Sequence, residues 1–75
     1  MNSQHHYKAA ISWTGNRGEG TSHYKAYDRS HCLNIPHKAE ILLSSDPAFM
    51  GDPAKHNPEE LFLASISSCH MLWYL

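Results

Sequence analysis

Cys69 has the strongest claim to chemistry in this sequence. It sits in Ser67-Ser68-Cys69-His70-Met71, inside an otherwise apolar run that reaches Leu75. A thiol attacks as its thiolate, so a working Cys69 needs a cation beside it. Arg17 and Arg29 are the candidates, and sequence alone places neither against it. The plain alternative is a small core residue, because free cysteine is among the most buried residue types. His70 follows directly, but neighbours on a helix point ~100° apart, so Cys69-His70 is no catalytic dyad. Glu59 lies ten residues before Cys69, a separation of ~15 Å along one helix axis. The two could share a site only through an intervening arginine or across two subunits. Otherwise Glu59 is a carboxylate that complements a helix N-terminus.

Other chemistry is poorly supported. Seven histidines occur in 75 residues, but they are scattered, with no His-x-x-x-His on the helix and no Cys-x-x-Cys. No metal or cofactor is expected, and a His-rich metal-binding module is the weakest reading. Cys32 falls in a β-prone segment and is incidental. Gly15, Gly18 and Gly20 do not form a phosphate loop, because no Gly-Lys-Ser/Thr follows.

The elements that must position these residues read as α+β, a small antiparallel β-meander followed by a long buried central helix, in one domain spanning 1–75. Tyr7, Ala9, Ile11 and Trp13 alternate with polar residues over 5–14, the period of a half-buried strand. The glycine-rich 15–20 marks a tight turn with positive φ angles. Segment 21–29 is aromatic and β-prone and reads as a hairpin partner on an edge. Segments 31–35 and 39–43 are shorter strands. The stretch from Ser44 to Asn57, with Pro47, Gly51 and Pro53, is a long loop and so a candidate functional one.

The helix start is the clearest local signal. Asn57 suits the N-cap and Pro58 the first helical position. Glu60 completes a capping box, and Glu59 and Glu60 favour the positive helix end. Beyond them apolar residues cover every face, the pattern of a core helix. Phe62, Ser65, Ile66, Cys69 and Trp73 share one stripe. No stop signal closes this helix, so cover from further chain in natural relatives, or from another subunit, is expected.

Composition bounds the rest. The chain is 41% apolar and 17% charged with a net charge of −1, which is globular and lacks a nucleic-acid or anionic-membrane footprint. Met1-Asn2-Ser3-Gln4 is not the start of a signal peptide, and Leu61–Leu75 is too short and too polar for a membrane span. A cytoplasmic protein is expected.

Asn57-Pro58-Glu59-Glu60-Leu61, followed by Ser67-Ser68-Cys69-His70-Met71, resembles the central helix of the OsmC/Ohr family, the osmotically inducible and organic-hydroperoxide-resistance proteins. Trp13-Thr14-Gly15-Asn16 with Gly18, Gly20 and Thr21, and Ser45-Asp46-Pro47-Ala48-Phe49, extend the resemblance over essentially the whole chain, as the N-terminal half of such a protein. It implies a thiol-dependent peroxidase that reduces organic hydroperoxides. Cys69 would be the peroxidatic nucleophile. An arginine would hold the thiolate and polarise the peroxide, and Glu59 would orient that arginine. Arg17 matches the position some relatives use, with Arg29 as the fallback. The family forms intertwined homodimers with the site at the subunit interface, and a lipoylated protein is the implied thiol reductant. Two departures stand out. Met50 occupies a place where close relatives have arginine, and no cysteine matches the family's resolving one. The rival reading is therefore a non-catalytic half-domain that assembles or binds an apolar ligand.

Overall fold

The computed structural model describes residues 4–75. Three strands, β1 (Ala10–Trp13), β2 (His31–Asn34) and β3 (Ile41–Leu43), form an antiparallel meander in the order β1-β2-β3. Each strand is shorter than its patterning suggested, and residues 5–9 stay outside the sheet. The register aligns Ile11 with Leu33 and Leu33 with Ile41. It also aligns Trp13 with His31 and His31 with Leu43. Residues directly opposite one another share a face, so these six side chains line one side of the sheet.

The expected hairpin strand at 21–29 is absent, and turns replace it. Asn16 begins the turns, its Oδ1 accepting from the Gly18 and Gly20 amides at 2.9 and 3.1 Å. Gly18 and Gly20 adopt φ of 111° and 58°, a region costly for residues with a Cβ. Gly15 serves another purpose. Its carbonyl accepts from the Asp28 amide at 2.9 Å, and a Cβ there would meet the Asp28 carbonyl oxygen. The Trp13 Nε1–H also donates to that oxygen at 2.8 Å. The chain thus loops out after β1 and is pinned back just before β2.

The loop after β3 is ordered by its own polar groups. The Ser44 amide donates to the His56 carbonyl at 2.9 Å, where Leu43 and His56 form a parallel bridge. The Ser44 hydroxyl, almost fully buried, accepts from the Asp52 amide at 3.0 Å. Between them a 3-10 turn, Pro47–Phe49, is capped by Asp46 and closed by Met50 in the left-handed region.

Helix α1 (Pro58–Tyr74) begins as its capping residues require. Asn57 Oδ1 accepts from the Glu60 amide at 2.9 Å, and Glu60 Oε1 accepts from the Asn57 amide at 3.0 Å. The sequence expectation of a buried helix does not hold in this chain, because α1 has no buried residue. Phe62 is 70% exposed and Trp73 89%. Strands of four, four and three residues are too small to cover a helix of 17, which runs about 25 Å. The molecule measures 51 × 25 × 18 Å, with Cys32 and Leu43 its only buried apolar residues among those described. No described helix is long and apolar enough to cross a membrane. Covering a large apolar side chain is worth roughly 1.5–3 kcal/mol, so α1 carries a strong drive toward cover.

Candidate active site

The first turns of α1 lie against the apolar sheet face. Pro58, Leu61, Phe62 and Ser65 face Ile11, His31, Leu33 and Leu43 across an open groove of about 550 Å³. Its wall is apolar apart from His31 and Ser65. His31 Nδ1 is 2.8 Å from the Arg29 carbonyl, and the Ser65 hydroxyl donates to the Phe62 carbonyl at 2.7 Å. Cys69 follows Ser65 by one helical turn on the same stripe. Its thiol is free and exposed. The His70 ring meets Tyr74 edge-on at 4.9 Å.

Glu59 stands in the first turn, exposed, with Glu60 beside it. Glu60 is committed to the cap, which leaves Glu59 as the uncommitted carboxylate at the helix start. The helix keeps Glu59 and Cys69 ~15 Å apart along its axis, so no direct contact joins them.

Both arginines are engaged in the loop between β1 and β2. Arg17 donates to the Lys25 carbonyl at 2.5 Å and lies 3.7 Å from Asp28, with both side chains more than half exposed. Arg29 is more enclosed. Its guanidinium donates to the Tyr27 and Tyr24 carbonyls at 2.7 and 2.6 Å. It also lies 4.0 Å from the Tyr27 ring centre and 4.3 Å from that of Tyr24. Among the described residues, the ion pairs join Arg17 to Asp28 and Lys55 to Asp52, and neither arginine pairs with Glu59. Within one chain, then, the expected site residues are not gathered into a single cluster.

Arg29 borders a second cavity, of about 460 Å³, with Asp28, Ser30, Ser44, Asp52 and Lys55 around it. Lys55 Nζ donates to Ser30 Oγ at 2.8 Å and lies 3.9 Å from Asp52. Sequence reasoning missed Ser30 and Lys55, since a single lysine and serine 25 positions apart carry no periodic signal. Cys32 is buried in β2 and its sulfur accepts from Asn34 Nδ2 at 3.3 Å. No group of three or more His, Cys, Asp or Glu among the described residues could hold a metal ion.

No family model matches the chain, and no curated protein matches it. Among solved structures it is similar to an OsmC-like protein of unknown function from Vibrio cholerae O1 biovar eltor, with a TM-score of 0.75 and 32% identity over 92% of this chain. The chain is OsmC-like. It spans 47% of the length of that OsmC-like structure. The three-stranded meander and the following helix are therefore an OsmC-like α+β arrangement, with Cys69 on the helix.

Proposed function

We propose that this OsmC-like chain belongs to a cytoplasmic thiol peroxidase that reduces organic hydroperoxides, with Cys69 as its nucleophile. The observation that carries the reading is the exposed Cys69 thiol on α1, one turn beyond an apolar groove. In the reaction the Cys69 thiolate attacks the peroxide O–O bond. A sulfenic acid forms at sulfur, and the alkoxide leaves and takes a proton from solvent. An external dithiol, such as a lipoylated protein, then condenses with the sulfenic acid, releases water, and frees Cys69 as it closes its own disulfide.

An intertwined homodimer supplies what one chain lacks. It covers α1 and brings Glu59 of one protomer toward Cys69 of its partner, with an arginine between them. Arg17 and Arg29 are both candidates for that arginine. The enclosure of Arg29 and its shared cavity with the loop leading into α1 support Arg29.

The test is thiol loss after one equivalent of cumene hydroperoxide, read by intact mass. Oxidation at Cys69 far faster than that of a free thiol, abolished by Cys69→Ser and kept in Cys32→Ser, is the expected result. A rate no higher than a free thiol's sinks the peroxidase reading. The second reading is a non-catalytic OsmC-like chain that assembles or holds an apolar ligand in the groove. The engagement of both arginines with nearby backbone carbonyls favours it.

A further inference from the structure

The geometry points to Lys55 as a positioning residue that holds the arginine-bearing loop in register with the start of α1. The inference rests on the peroxidase reading above. Three links make the case. Arg29 is locked within its own loop by two tyrosine carbonyls and two tyrosine rings. Ser30, the next residue, accepts from Lys55 Nζ at 2.8 Å. Lys55 in turn lies two residues before the N-cap Asn57.

Lys55 is itself oriented. Its ammonium lies 3.9 Å from Asp52, and the Asp52 amide is fixed on the nearly buried Ser44 hydroxyl at 3.0 Å. Asp52 also caps its own turn, accepting from the Ala54 amide at 2.9 Å. Lys55 therefore reaches Ser30 from a braced loop rather than from a free surface stem, and its side chain is only 29% exposed. The Ser30 backbone is anchored to the sheet, its carbonyl accepting from the Thr14 amide at 2.9 Å. The Lys55–Ser30 bond thus spans from the entry to the central strand β2 to the helix start, between the segments that carry Arg29 and Glu59. Sub-ångström placement of a guanidinium against a peroxide governs how well it polarises the O–O bond.

The experiment uses the full chain as Cys32→Ser, with Ser30→Ala, Lys55→Met, Lys55→Arg and the double Ser30→Ala/Lys55→Met added. Cys69 oxidation by cumene hydroperoxide is timed beside its alkylation by N-ethylmaleimide, and each rate is divided by the thiolate fraction read from ultraviolet absorbance, so that only peroxide polarisation separates the two. Ser30→Ala and Lys55→Met should each slow the peroxide reaction about tenfold. Alkylation should change by less than about twofold, the double variant should be no slower than Lys55→Met, and Lys55→Arg should recover most of the rate. Ser30→Ala keeps the lysine charge and removes only a hydroxyl, so it carries the test even if Lys55→Met fails to fold. A wild-type peroxide rate in Ser30→Ala, or equal losses in both reactions, overturns the positioning role while leaving the peroxidase reading intact. A parent no faster than a free thiol overturns both.

Discussion

Replacing Asn57 with alanine removes the side chain that starts α1. Two hydrogen bonds close a ring there: Glu60 amide to Asn57 Oδ1 at 2.9 Å, and Asn57 amide to Glu60 Oε1 at 3.0 Å. Asn57→Ala deletes the first and leaves the Glu60 amide without its partner. Loss of an N-cap costs typically about 1 kcal/mol, and up to about 2. Asn57 is only 9% exposed, which limits replacement by water, so the upper half of that range is expected. For a chain of this size about 1.5 kcal/mol lowers Tm by about 6–12 °C. Asn57→Asp keeps an accepting oxygen and should stay within about 0.5 kcal/mol of wild type. Glu60→Ala breaks only the second bond and should cost about 0.5–1.5 kcal/mol. Because the two bonds share one ring, the double variant should lose about 0.5 kcal/mol less than the sum of the single losses. Urea unfolding followed by far-UV ellipticity measures all four. The reasoning fails if Asn57→Ala matches wild type, or if Asn57→Asp is as damaging as alanine.

Two further substitutions test the loops. Gly51→Ala would drive a Cβ into the Ser45 carbonyl oxygen; backbone cannot yield as a flexible side chain can, so a loss of about 3 kcal/mol is expected in the same urea assay. Asp28→Asn removes the exposed Arg17 partner at 3.7 Å and should change stability by less than about 0.5 kcal/mol, with little response to added salt. A larger loss would mean that the ion pair, rather than Trp13 and Gly15, holds the loop against the sheet.

Local chemistry made some elements legible in the sequence. The Asn57-Pro58-Glu59-Glu60 start was readable because each residue answers one backbone requirement of a helix N-terminus. The first strand was readable from period-two patterning over 5–14, though its partner was not, and the OsmC-like identity from the helix residues around Glu59 and Cys69. Segment 21–29 misled because tyrosines are good strand residues. Here Tyr24 and Tyr27 instead face the Arg29 guanidinium, and the poor alternation was the available warning. The burial of α1 misled for a different reason. Composition reports how much cover a helix wants, and this chain's sheet supplies only a small part of it. Ser30 and Lys55 were illegible because a contact across the loop depends on how two turns close.

The two tryptophans divide the molecule between them. Trp13 is tied to the Asp28 carbonyl and packs edge-on against Tyr27 at 5.9 Å, whereas Trp73 stands bare on the last turn of α1. Water around an indole shifts its emission to the red, so Trp73 dominates the red side of the fluorescence spectrum. Any partner that covers the helix draws that emission to the blue. The chain thus carries its own optical gauge of how much of α1 is wrapped, readable without a label.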